Sequence, residues 1–163
     1  MLALFSTETF GLFWALAGIA CAVIFSGMGS AKGVGLVGQA SAGVITEDPD
    51  KFGQLLVLQA LPGTQGIYGF LIGFIVMLQS GILGGSANIS LPLGLAIFSA
   101  CLPVGIVGLV SGIHQGKVAA AGVSIVAKRP DQVAKAIVSA ALVETYAILA
   151  FLISMLLVFN LPF

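Results

Sequence analysis

Residues 133–159 read VAKAIVSAALVETYAILAFLISMLLVF. Apart from Lys135 near its start, this run holds one charged side chain, Glu144, close to its middle. A helix crosses the hydrocarbon layer with about 20 apolar residues, so the segment is long enough to span. Nothing in it alternates polar with apolar positions as a barrel strand would. With three earlier apolar stretches it makes a set at roughly 10–45, 52–79, 90–127 and 132–159, each long enough to cross a bilayer. The expected fold class is all-α, with four transmembrane helices. Composition agrees: 59% of the 163 residues are hydrophobic and 7% charged, and the mean hydropathy of +1.17 is foreign to a soluble domain. The opening residues, MLALFSTETFGLFWALAGIACAVIF, lack the basic flank of a signal peptide and continue apolar past residue 40, so they read as the start of the first helix.

The formal net charge is zero, which leaves neither a basic nucleic-acid surface nor an acidic tail; no nucleic-acid partner is expected. Lys51, Lys128, Arg129 and Lys135 flank two links, residues 46–51 and 128–131. By the positive-inside rule both links are expected on the cytoplasmic side. Lys32 and Lys117 lie deeper, at a distance from which long side chains can snorkel to the same side. The N-terminus, the link 80–88 and the C-terminus then face outward. Cys21 and Cys101 sit in apolar surroundings on different segments and read as small packing residues.

The chain contains an internal repeat. Ser26-Gly27 can be laid over Ser111-Gly112 and Lys32 over Lys117; the register then slips by four, after which Asp48-Pro49-Asp50 overlies Arg129-Pro130-Asp131 and Leu61-Pro62-Gly63-Thr64 overlies Leu142-Val143-Glu144-Thr145. Two helical hairpins result, 1–80 and 81–163, pointing the same way through the membrane. That arrangement argues against the inverted repeats of many rocking transporters. Gly63 stands where the second hairpin has Glu144. Close-spaced glycines on the first and third segments, from Gly27 to Gly38 and from Gly105 to Gly122, suit very tight helix packing. Gly27-Met28-Gly29 follows no strand and is not a phosphate loop.

Glu144 lies about 20 Å along the helix from either end of its segment, near mid-membrane. An ionised carboxylate at that depth is costly unless protonated, paired or bound to a cation, and intramembrane acids usually serve function. On the second segment Leu61, Thr64, Gln65 and Tyr68 share one helical face, and Pro62 loosens backbone carbonyls before it, including that of Leu61. Gln115 on the third segment lies at similar depth. A carboxylate, two amide oxygens, a hydroxyl and a backbone carbonyl form a set of hard donors suited to Na⁺, and one negative charge matches a monovalent ion. His114 adjoins Gln115, but helical neighbours point about 100° apart, so a packing or lumen-facing place is expected. Ligands for a transition metal are too few, and Ser111 with His114 lacks the rest of a nucleophilic triad, so no catalytic residue is assigned.

The motifs Phe25-Ser26-Gly27-Met28-Gly29-Ser30-Ala31-Lys32-Gly33, Leu61-Pro62-Gly63-Thr64-Gln65-Gly66-Ile67-Tyr68-Gly69-Phe70, Gln115-Gly116-Lys117-Val118-Ala119-Ala120-Ala121-Gly122 and Val143-Glu144-Thr145-Tyr146-Ala147-Ile148 carry a likeness that extends over nearly the whole chain. They resemble the duplicated proteolipid, or K subunit, of bacterial V-type rotary ATPases. The resemblance implies a multi-pass protein of the bacterial cell membrane that assembles with identical copies into a rotor ring, segments one and three inside. It implies a stator partner with an essential arginine, a central stalk, surrounding lipids, and ATP hydrolysis on other subunits. It also implies a Na⁺ ligand set of Glu144, Gln65, Gln115, Thr64 and the Leu61 carbonyl, with Tyr68 bonding the glutamate. H⁺ is the alternative cargo, and a small secondary cation antiporter a further reading; against the latter, Trp14 is the only tryptophan and Tyr146 alone adds an aromatic group beside the acid on its segment.

Overall fold

The computed structural model describes residues 7–85 and 88–163, with side chains from residue 9 onward. Among the described residues there are five α-helices: α1 (Thr7–Glu47), α2 (Phe52–Ala60), α3 (Thr64–Gln79), α4 (Leu91–Lys128) and α5 (Val133–Phe159). A short 3₁₀ turn, Leu61–Gly63, joins α2 to α3, so the two make one rod, and four rods are long and apolar enough to cross a membrane. There is no strand among the described residues. The all-α, four-span expectation holds, and the chain is a multi-pass membrane protein.

The ends of the rods follow from proline chemistry. A residue before proline is pushed out of the helical region, and Asp48 (φ −143°, ψ 89°) and Arg129 (φ −143°, ψ 71°) end α1 and α4 in this way. Each is followed by a 3₁₀ turn, Pro49–Lys51 and Pro130–Gln132, that starts the next helix. The two links lie at the same end of the bundle, because Lys51 Nζ bonds the Ala127 carbonyl at 2.9 Å and Asp48 at 3.2 Å. Ser90 caps α4 by accepting the Leu93 N–H, with Pro92 in the first turn.

Inside, α1 and α4 touch through glycine. A Cβ on Gly29 would lie 2.5 Å from the Gly108 carbonyl oxygen, and one on Gly112 would lie 2.6 Å from the Gly29 carbonyl carbon; Gly33 is in the same way pressed against Gly112 and Gly116. Without a hydrophobic drive between helices in lipid, such backbone approach is a main source of cohesion. Two apolar clusters flank this seam, one around Ile72, Val76, Ile97 and Val104, the other around Val37, Leu58, Val123 and Val126. Large apolar side chains line the outer face instead, among them Ile67, Phe70, Leu149 and Leu156, as lipid contact requires.

The glycine contacts correct the register expected for the repeat. Gly29 meets Gly108 and Gly112, and Gly33 meets Gly112 and Gly116, so each glycine sits between partners 79 and 83 positions later. Residues about 81 apart are level, as they already are at the links. The slip of four that placed Ser26-Gly27 over Ser111-Gly112 is one helical turn too far: Val107-Gly108 lies at that level. Glycine repeats every three or four residues in both helices, which let a one-turn error pass as a match.

Candidate ion site

The polar residues of α3 are placed by Pro62, which is buried in the 3₁₀ turn and has no N–H to give. Helix α3 starts at Thr64, and its first turns carry Thr64, Gln65 and Tyr68 toward α4 and α5. Gln65 and Gln115 are fully buried, while Glu144 is half-buried. The Tyr68 hydroxyl donates to Glu144 Oε1 at 2.7 Å. Gln115 Nε2 donates to Glu144 Oε2 at 3.3 Å, and Gln65 Nε2 donates to Gln115 Oε1 in a short bond. One continuous chain of hydrogen bonds thus runs from α3 through α4 to the carboxylate on α5.

Of the six sequence-derived residues, Glu144, Gln115, Gln65 and Tyr68 are brought into that one network. Leu61 and Thr64 lie beside it but bond each other. The Thr64 hydroxyl donates to the Leu61 carbonyl at 3.0 Å, and the Thr64 N–H points to the same oxygen. The expectation that Pro62 leaves the Leu61 carbonyl loose is therefore corrected: the 3₁₀ turn pairs it locally, and its second lone pair is taken by the hydroxyl. Thr64 Oγ1 spends its proton on this bond and keeps its lone pairs for another partner.

Ser111 is a member the sequence reading missed. Gln65 Nε2 also reaches Ser111 Oγ at 3.4 Å, and Ser111 donates to the Val143 carbonyl at 3.0 Å. It stands four residues before Gln115, on the same helical face, so spacing alone would have found it. Phe151 is a second: its ring lies 5.2 Å from that of Tyr68, seven residues beyond Glu144. His114 is exposed on α4 and takes no part in the network. Both cysteines are free, and Cys101 is a buried packing residue.

Gln65 Oε1 is buried and has no hydrogen-bond partner. A buried amide oxygen left unpaired costs about 1–3 kcal/mol, so this atom needs a donor or a cation. Among the described residues no three His, Cys, Asp or Glu side chains come together, so any cation held here must be coordinated largely by neutral oxygens around one carboxylate.

Four membrane rods in two like-pointing hairpins, with one half-buried carboxylate bonded into an amide-rich network, define a class of small membrane protein with an acid held inside its span. The chain belongs to the family of the ATP synthase C subunit, whose model matches it twice, over residues 17–76 and 98–157. The match sets residue 17 against 98 and 76 against 157, an offset of 81 at both ends that agrees with the helix contacts. The chain is 53% identical to the K subunit of the V-type sodium ATPase of Enterococcus hirae, over 94% of this chain and 96% of that one. It is 41% identical to the K subunit of the A-type ATP synthase of Methanocaldococcus jannaschii, over 86% of this chain and 59% of the relative.

Proposed function

We propose that this chain is the repeating unit of the rotor ring of a V-type rotary ATPase, and that each copy binds one Na⁺ at Glu144 and carries it across the membrane. The observation that carries the reading is the network itself: both Glu144 oxygens already accept hydrogen bonds, from Tyr68 and Gln115, while the buried oxygen of Gln65, whose nitrogen bonds Gln115, has no partner. Together the oxygens of Glu144, Gln115, Gln65 and Thr64 offer a hard donor set of one net charge that a monovalent cation neutralises. Similarity to a protein named for a sodium ATPase points the same way.

With the ion bound the site is neutral and can face lipid; emptied, the carboxylate needs water or a fixed positive charge. An arginine on a stator partner would meet that need and force release. ATP hydrolysis on other subunits would turn the ring through a central stalk, and this chain supplies no catalytic group. The links at 46–51 and 128–131 would face the cytoplasm and both termini the outside, consistent with the basic residues at one end of the bundle.

Labelling of Glu144 by a hydrophobic carbodiimide in purified rings tests the cargo. At fixed pH the rate should fall as Na⁺ is raised, because a bound ion occupies the carboxylate. A rate that follows pH and ignores Na⁺ makes the cargo H⁺, leaving the two glutamines as helix-bonding groups.

A further inference from the structure

A groove of about 360 Å³ opens on the face of α4 and α5 turned away from α1. Ile106, Val107, Val110 and Ser111 line one wall, with His114, Val143 and Tyr146 completing it. Shifted back by the repeat offset of 81, these positions become Phe25, Ser26, Gly29, Ser30, Gly33, Pro62 and Gln65. In the first hairpin that surface is filled by α4: Gly29 lies against Gly108, Gly33 against Gly112, Ser26 Oγ bonds the Val104 carbonyl at 2.9 Å, and Gln65 bonds Gln115. The groove is therefore the second hairpin's version of a seat whose occupant is already visible in the first.

Shifted by the same offset, the occupying positions Gly108, Gly112 and Gly116 become Gly27, Ala31 and Gly35 of α1. These are open. Nothing lies within 4 Å of a Cβ built on Gly27 or Gly35, Ala31 is exposed, and the neighbouring Ile24 is 54% exposed. We infer that α1 of a second copy of this chain seats its Gly27-Ala31-Gly35 edge in the α4/α5 groove, and that His114 is the residue packed in that seam. The inference rests on the ring reading and adds which faces meet.

The two seams of such a ring differ. Within a copy, Gly33 is in backbone contact with Gly112; between copies His114 takes the Gly33 place, Val110 that of Gly29 and Tyr146 that of Gln65. An imidazole cannot enter a gap that a single Cβ would overfill, so the seam between copies is wider and its side chains fill the groove. It also lacks the amide pair, since Val34 stands where Gln115 would be. The partner helix covers Ser111 and Val143, which back Gln65 and Glu144, and so seals the ion site from its inner side.

The test is cysteine cross-linking in membranes bearing the intact complex, in a Cys21→Ala, Cys101→Ala background. Oxidation of Ala31→Cys with His114→Cys, and of Gly35→Cys with His114→Cys, should give a ladder of multiples of the 16.5 kDa chain, whereas Ala31→Cys with Leu149→Cys, on the lipid face, should give none. A native gel on each variant shows that rings form. Intact rings with no ladder from either His114 pair overturn the seat while leaving the ring in place. Dimers from His114→Cys alone overturn it as well, since they require two grooves to face each other. A wild-type chain that runs as a monomer removes the ring reading and the seat together.

Discussion

Glu144 and the side chains that hold it divide into those that carry charge and those that shape its surroundings. Glu144→Gln should abolish ATP-coupled sodium movement in vesicles while rings still assemble, because the amide preserves shape and loses the charge that balances the ion. Tyr68→Phe removes a hydroxyl bonded at 2.7 Å to the carboxylate. A hydrogen bond to a charged group is worth about 1.5–3 kcal/mol, so sodium binding measured by calorimetry should weaken about 10- to 100-fold. Unchanged affinity would mean the hydroxyl bonds elsewhere once the ion is in place. Glu144, Gln65, Gln115 and Tyr68 were legible because polar groups inside an apolar run have few reasons to be there and helical spacing sets their faces. The fate of the Leu61 carbonyl was not legible, since whether proline frees a carbonyl or passes it to a 3₁₀ turn depends on the residue three positions on, here Thr64, whose N–H and hydroxyl both reach it. Ser111 was overlooked because serine in a membrane helix usually bonds its own backbone.

Among the helices, the α1–α4 seam is the most sensitive. Gly29→Val or Gly112→Val places methyl groups where a backbone carbonyl already stands, and overpacking of this kind costs about 1–3 kcal/mol; both variants should lower the thermal midpoint of the detergent-solubilised protein. Gly43→Ala meets nothing within 4 Å and, in a helix, should be neutral or stabilising by about 0.4–1 kcal/mol. Equal effects at the two kinds of site would show that backbone contact is not what the seam glycines provide. The number and order of the spans and the two links at residues 49 and 130 were readable, because proline and apolar length act locally; the 3₁₀ break at Leu61–Gly63 within the second span was not. The register of α1 on α4 was misread by one turn, because glycine at every third or fourth position offers two alignments of equal merit and only tertiary contact chooses between them.

For the whole molecule, the repeat carries one carboxylate in mid-helix, Glu144, with Gly63 at the matching place. The site has no second copy: under the offset of 81, Gly63 stands for Glu144 and Val34 for Gln115 in the first half, while Tyr146 stands for Gln65 and Leu149 for Tyr68 in the second. A Cβ on Gly63 meets only Val34, at 3.7 Å, so Gly63→Glu is sterically open, yet the new acid would have no amide or phenol to complete a site. The variant should bind no second ion per chain; a doubled stoichiometry would show that the carboxylate alone makes the site. With one charge for four helices, each turn of the ring moves fewer ions, and each can be driven against a larger potential at about 2.3 kcal/mol per 100 mV. The most direct measurement is binding of radioactive sodium to purified rings. One saturable, tightly held Na⁺ per chain is expected, lost in Glu144→Gln and weakened in Gln65→Ala and Gln115→Ala. Rings that hold no sodium at any concentration, or that hold it equally well without Glu144, would contradict a sodium site built on this carboxylate.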